Sequence, residues 1–179
     1  MPNYRRAFVP GGCWFFTVNL LNRRASILTD KIEALRDAMR RTRQRYPIQI
    51  DAFVVLPDHL HGVWTLPPGD ADFSTRWRLI KSYFAKSIPK TEWLSPVRQA
   101  RRERGIWQRR FWEHLIKDEN DFEQHVNYCY INPVKHGHVS RVQDWPFSSF
   151  HRDVAAGIFP LDWGGDVACS GEFGERPEP

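Results

Sequence analysis

Two apolar, β-branched segments meet at a proline turn in the first third of the chain, and this juncture constrains the fold more than any other feature. Ile48 to Leu56 is rich in Ile, Val and Phe, Pro57-Asp58 breaks it, and His59 to Leu66 resumes an alternating pattern that Pro67-Pro68-Gly69-Asp70 ends. Short β-prone runs on either side of a tight turn pair as a hairpin, since each strand alone leaves its backbone groups unsatisfied. A hairpin needs further strands to persist in water. Gly12 to Leu20, dense in Trp, Phe, Thr and Val after a Pro-Gly-Gly break, supplies one. Ile106 to Ile116 carries Trp107, Phe111 and Leu115 among charged residues, and reads as a strand or as an extended approach to a helix.

Helical periodicity occupies the intervals. Asp30 to Tyr46 places Ile32, Leu35, Ala38 and Met39 on one face, with Thr29 or Asp30 as N-cap, Pro47 as the stop and a basic outer face. Phe73 to Ile88 turns Trp77, Ile80, Phe84 and Ile88 inward and offers Arg76, Lys81 and Lys86 outward. Asp118 to Ile131 is a third helix, which Asn132-Pro133 is expected to stop. Pro89 to Gly105 has no period and reads as a loop, with Arg98, Arg101, Arg102 and Arg104 clustered around a single acid, Glu103. The Gly/Pro-rich tail, 157–179, is expected to lie on the surface or fray. The order strand, helix, strand, strand, helix, strand, helix predicts an α+β, ferredoxin-like sandwich, an antiparallel sheet with helices on one face, as a single domain over 1–179.

Composition bounds the function classes. The 179 residues carry 26 Lys and Arg against 21 Asp and Glu, a formal charge of +5, so a polyanion is the first partner to consider. Eight Trp supply rings on which unpaired bases stack, although most Trp in a small domain are core. Mean hydropathy of −0.56 and the lack of any run of ~18 apolar residues argue against an integral membrane protein. Cys13, Cys129 and Cys169 are odd in number and widely spaced, which suits a reducing cytosol better than a disulfide framework or zinc ribbon. No secretory apolar stretch follows Met1.

Two groups of residues carry chemistry. In His59-Leu60-His61 the imidazoles fall on one face of a strand, and neutral imidazole is a common ligand for a divalent ion. Alone, such a pair is equally read as core or surface histidines. Tyr128 and Asn132 are four apart, so in a helix they share a face, while Tyr130 points elsewhere. Packing residues followed by a helix stop would look the same.

The segment Phe53 to His61 resembles the histidine-hydrophobic-histidine motif of the HUH endonucleases, and His125 to Gly137 resembles the catalytic-tyrosine helix of their single-tyrosine transposase branch. Trp107 to His114 and Asp144-Trp145-Pro146-Phe147-Ser148-Ser149-Phe150 are similar to stretches of the REP-associated tyrosine transposases within that branch. The resemblance, running from about Tyr4 to Gly174, implies the HUH endonuclease fold and a transposase that nicks and rejoins single-stranded DNA at hairpin-forming repetitive (REP) sequences through a covalent 5′-phosphotyrosine. It implies Tyr128 as nucleophile, His59, His61 and Asn132 as metal ligands, and Mg²⁺ or Mn²⁺ as cofactor. Cys129 and Tyr130 depart from the usual pattern and make Tyr130 a rival nucleophile, against which the spacing of Tyr128 and Asn132 counts. The partner implied is a DNA hairpin, held by Arg5, Arg6, Arg101, Arg102, Arg104, Trp107, Arg109 and Arg110. A bacterial cytoplasmic, nucleoid-associated monomer or homodimer is expected. The alternative is a hairpin-binding protein that keeps the fold without catalysis.

Overall fold

The computed structural model describes residues 7–165 and 173–175. Its elements run β1 (Cys13–Asn19), α1 (Ile27–Asp30), α2 (Ile32–Arg45), β2 (Gln49–Val55), β3 (His59–Thr65), α3 (Phe73–Ser87), α4 (Pro96–Ala100), β4 (Trp112–Leu115), α5 (Glu119–Lys135) and α6 (Phe150–Ala155). The strands form one sheet in the order β2-β3-β1-β4 with every neighbouring pair antiparallel. This is the ferredoxin-like arrangement, and the hairpin turns at Pro57-Asp58, where the Leu56 amide donates to His59 O at 2.8 Å. No helix among the described residues is long and apolar enough to cross a membrane.

Helices lie on both faces of the sheet, which corrects the expectation of one. Side chains alternate along a strand, so Trp14, Phe16, Val18, Leu60 and Trp64 face α2 and α3, where Leu35, Met39, Trp77, Ile80 and Phe84 meet them. Phe15, Ala52, Val54 and Val63 face the opposite way and pack beneath Val126, Cys129, Tyr130 and Ile131 of α5. The physical reason is legible in β1, whose residues Trp14 to Asn19 are all buried. A strand apolar on both sides must be covered on both. Each large side chain so buried contributes about 1.5–3 kcal/mol, and the Trp64–Trp77 stack, 4.2 Å between centroids, joins sheet to α3. The outer edge of β2 is closed by Phe147 to Ser149, with Val55 N donating to Phe147 O at 2.9 Å and Ser149 N to Phe53 O at 2.8 Å.

Three local expectations also change. The helix expected from Asp30 breaks at Lys31, leaving α1 as a separate turn before α2. The third helix runs through Asn132-Pro133 to Lys135, because a proline in the last turn removes a single amide. Gly137 stops it instead: at φ +71°, its amide donates to Val134 O and that of His138 to Pro133 O, each at 2.9 Å. The tail does not simply fray, since Phe159 and Trp163 pack against Tyr130 and Phe150.

The arginine-rich loop is stiffened by one of its own arginines. Arg104 holds Glu92 with two nitrogens and reaches carbonyls at and just beyond the end of α3, Ala85 O, Ile88 O at 3.0 Å and Pro89 O at 2.7 Å. These are acceptors that a helix end leaves unpaired. Arg76, expected to face outward, is likewise wholly buried, joined to Asp70 at 2.7 Å and to Pro47 O at 2.8 Å. Within the loop, α4 ends in the same double hydrogen bond as α5, with Arg102 N to Gln99 O at 3.0 Å and Glu103 N to Arg98 O at 2.9 Å. Here, however, an arginine at φ +54° stands where glycine is the default, at a cost of about 1 kcal/mol.

The Arg104 guanidinium holds the Glu92 carboxyl at about 2, below its ordinary 4.5. A depressed acid stabilises the fold above its unfolded pKa and loses that contribution as pH falls through the folded one. Glu92→Gln is therefore expected to cost about 1 kcal/mol near neutral pH, a charge-assisted bond discounted for solvent screening. In thermal melts, the gap to wild type closes as pH is lowered from about 4.5 toward 2.

Candidate active site

The register of β3 against β1 pairs His59 with Asn19 and His61 with Thr17, and both imidazoles project onto the face that α5 covers. Their ring centroids lie 5.0 Å apart. Asp58 aims the first: its carboxylate takes the His59 Nδ1 at 2.7 Å and is itself fixed by Arg23 at 2.6 Å. His59 Nε2 is buried with no hydrogen-bond partner, 3.8 Å from Glu175 Oε1. Burial pulls the His59 pKa down, but the bonds to Asp58 and Glu175 outweigh it and the net shift is upward.

Thr17 aims the second. Its hydroxyl donates to Phe173 O at 2.6 Å, so its oxygen accepts from His61 Nδ1, 2.8 Å away. That tautomer leaves a lone pair on His61 Nε2, which faces the Glu175 carboxylate at 3.0 Å. Burial drops the His61 pKa to about 4, so the ring is neutral near pH 7. Two acceptors at that separation call for a cation between them.

α5 brings the other half. Asn132 donates from Nδ2 to Glu175 Oε1 at 2.8 Å, while its Oδ1 is buried without a partner. One turn earlier lies Tyr128, 5.3 Å from the His61 ring, with its hydroxyl accepting from Lys135 Nζ at 2.9 Å. Lys135 Nζ also donates to Glu175 Oε2 at 2.7 Å, and His136 Nε2 is 3.3 Å from Oε1. Burial would raise the Glu175 pKa, yet the surrounding His136, His59 and His61 outweigh it and hold the group ionised. Burial first, and then Glu175, push the Tyr128 pKa well above the ordinary phenol value.

The two tyrosines of α5 lie on different faces of the helix. Tyr130 points away, hydrogen-bonded to Asp153 and, at 3.1 Å, to Ser149. Four predicted residues, His59, His61, Tyr128 and Asn132, converge on one point. Three residues that sequence reasoning missed join them: Thr17, Lys135 and Glu175. His59, His136 and Glu175 bring ligand atoms within 4.8 Å of one another, and with the unpartnered amide oxygen of Asn132 beside them they fit a divalent cation of intermediate hardness. A second group, His114, Asp121 and His125, serves the start of α5, where Asp121 accepts from Lys117 N at 2.9 Å and from His114 Nε2 at 2.9 Å.

The predicted DNA contacts divide. Arg101, Arg102, Arg109 and Arg110 are exposed. Arg104 is committed to Glu92 and α3, and the Trp107 ring is buried against Phe84, 5.4 Å between centroids. Neither offers a face to a ligand, and both are corrections to the sequence reading: the loop needed an internal anchor, and β1 needed a hydrophobic neighbour at Leu20, to which Trp107 bridges. Arg5 and Arg6 lie outside the described residues.

Residues 173–175 close the site. Phe173 stacks on Tyr128 with centroids 3.6 Å apart and rings 9° from parallel. Gly174, at φ +68°, presses on the Trp112 ring where any Cβ would collide. Glycine here lets the flanking residues reach Tyr128 and the histidines together.

A ferredoxin-like antiparallel sheet with paired imidazoles under a tyrosine-bearing helix defines the class of HUH-type transposases. Residues 12–130 match the family model described as "Transposase IS200 like". A REP-associated tyrosine transposase of Escherichia coli K12 is 52% identical over 167 residues, 93% of either chain. A Haemophilus influenzae protein named as a candidate of the same kind is 50% identical over 97% of this chain and 100% of its own. A solved REP-associated tyrosine transposase bound to a REP hairpin superposes with a TM-score of 0.87 at 50% identity, covering both chains completely. The chain belongs to the REP-associated tyrosine transposases within the IS200-like family, and is a DNA-processing enzyme.

Gly174→Ala is expected to lift Phe173 from Tyr128. Nitration by tetranitromethane followed by peptide mapping reads this: Tyr128, 1% exposed, reacts faster in the variant, while Tyr130, at 0%, stays unreactive.

Proposed function

We propose that this chain nicks and rejoins single-stranded DNA at hairpin-forming repeats of the REP type, through a covalent 5′-phosphotyrosine on Tyr128, with His59, His61 and Asn132 holding Mg²⁺ or Mn²⁺. The observation that carries the reading is the convergence of Tyr128, Lys135 and both imidazoles on a single carboxylate, that of Glu175. Its two oxygens stand where two non-bridging oxygens of a scissile phosphate would lie. An anion is wanted at that point, and in this closed state the chain provides its own.

The chain's residues divide the work. Thr17 and Asp58 fix the two imidazoles so that an Nε2 of each faces the anion. Because imidazoles and amide are neutral, an ion held by them would keep its charge and would supply Lewis acidity and a template for phosphate oxygens. Lys135 donates to the phenolic oxygen and favours the phenolate. Exchange of the Glu175 carboxylate for phosphate puts one anion in place of another, so favouring the phenolate falls to Lys135 and to the charge that a bound ion would bring. The Tyr128 oxygen, having lost its proton to solvent, then bonds to phosphorus as the bond to the 3′ oxygen breaks, and that oxygen takes a proton from solvent to leave a free 3′-OH, so the proton count balances. Attack by another 3′-OH reverses the step. Bond energy is kept in the phosphotyrosine, so strand transfer needs no nucleotide triphosphate.

Incubation of a 3′-labelled hairpin oligonucleotide with protein and Mn²⁺, followed by denaturing electrophoresis, tests this. Wild type and Tyr130→Phe are expected to give a covalent protein–DNA band that Tyr128→Phe lacks. Cleavage without a band in Tyr128→Phe would show a metal-dependent hydrolase, and binding without cleavage in wild type a hairpin-binding protein. Asp58→Ala, which releases the His59 ring, is expected to weaken Mn²⁺ binding about 10- to 100-fold by calorimetry.

A further inference from the structure

The 89–105 segment carries an exposed aromatic ring that the site above does not use. Trp93 is 83% exposed, whereas Trp14, Trp64, Trp77 and Trp107 are buried. Its backbone is nevertheless fixed. On one side Glu92 is gripped by Arg104, and on the other Leu94 O accepts from Gln99 Nε2 at 3.1 Å. Gly105 packs so closely that an added Cβ would meet Leu94 at 3.3 Å and Trp93 O at 3.5 Å. An indole held out on a rigid base binds a flat partner without first paying for its own ordering.

The charge around it points to an anion. Glu103, the other acid of the stretch besides Glu92, is taken by Arg109 at 3.0 Å and Arg98 at 3.7 Å. Arg101 and Arg102 are exposed and make no ion pair among the described residues. Arg102 also keeps its left-handed backbone at a helix end where Gly137 serves α5 without strain. A strained residue kept where a stabler one fits is a reason to look for function. The location agrees: the segment leaves through Ile106 to Gln108, whose backbone bonds to Leu21 and Asn19, and Asn19 is the register partner of His59.

We infer that Trp93 and Arg102 form a DNA-gripping finger, the indole stacking on an unpaired base and Arg102 contacting an adjacent phosphate. A paired base has both faces covered by its neighbours, so the stacking partner is a nucleotide in the loop, bulge or foot of a hairpin. This inference rests on the hairpin-DNA reading above and specifies where the unpaired part is held.

The test uses the full chain, a fluorescein-labelled hairpin with a short single-stranded foot, and the same stem without unpaired nucleotides. Trp93→Ala is expected to weaken binding of the footed hairpin about 5- to 150-fold while leaving the blunt stem unaffected, and Trp93→Phe retains most of the affinity. A 2-aminopurine in the stacked position is quenched by wild type and not by Trp93→Ala. Arg102→Gly is expected to melt at or above the wild-type temperature, yet its plot of log affinity against log salt is shallower by ~0.7–0.9. Equal binding by wild type and Trp93→Ala, with the covalent band still formed, would overturn the finger and leave the proposed function standing. A wild-type chain that binds no hairpin overturns both, and an Arg102→Gly variant with an unchanged salt slope removes the phosphate contact.

Discussion

The Phe15 ring is the contact on which the site depends. Wholly buried at the centre of β1, it lies 5.6 Å from the His61 ring, 6.0 Å from Tyr128, 4.7 Å from His125 and 6.0 Å from Phe173. A filled position of this kind is worth about 3–5 kcal/mol against alanine. More than stability, it sets the distance between sheet and α5. One half of the site is a pair of imidazoles fixed by strand register, the other a tyrosine and an asparagine fixed by helical spacing, and Phe15 is packed between them. A slip of one residue in β1 would turn this ring to the opposite face and separate the halves.

The electrostatics follow from that packing. Burial strips water from His61 and Tyr128, which keeps the imidazole neutral and the phenol protonated. Neutral ligands leave a cation its charge; a protonated phenol is a poor nucleophile. In the closed state Glu175 reinforces the second condition and opposes the first, which burial secures, and Phe173 covers the Tyr128 ring. In the proposed reaction one anion replaces another, carboxylate by phosphate, under the same hands: Lys135, His136 and Asn132.

What was legible in the sequence was local. The hairpin at Pro57-Asp58, the His59/His61 face and the shared face of Tyr128 and Asn132 all follow from periods of two or near four residues, and the structure places each accordingly. The both-sided burial of β1 was written in Trp14-Phe15-Phe16 but hidden by counting helices in order. Asn132-Pro133 resembled a stop because proline lacks an amide, while the stronger signal, Gly137, stood five residues further on. Arg76, Arg104 and Trp107 show the limit of composition: an arginine or tryptophan looks the same in sequence whether it meets solvent, a carbonyl or a core. Glu175 reaches His61 across 114 residues of chain and Asn132 across 43, so no spacing rule could have joined them.

The most direct measurement is on the atom that reacts. A footed hairpin oligonucleotide trapped on the protein with Mn²⁺, digested with nuclease and trypsin and sequenced by tandem mass spectrometry, is predicted to leave a 5′-phosphonucleotide on the Tyr128 hydroxyl alone. The same mass on Tyr130, or cleaved DNA with no modified peptide, would contradict the account.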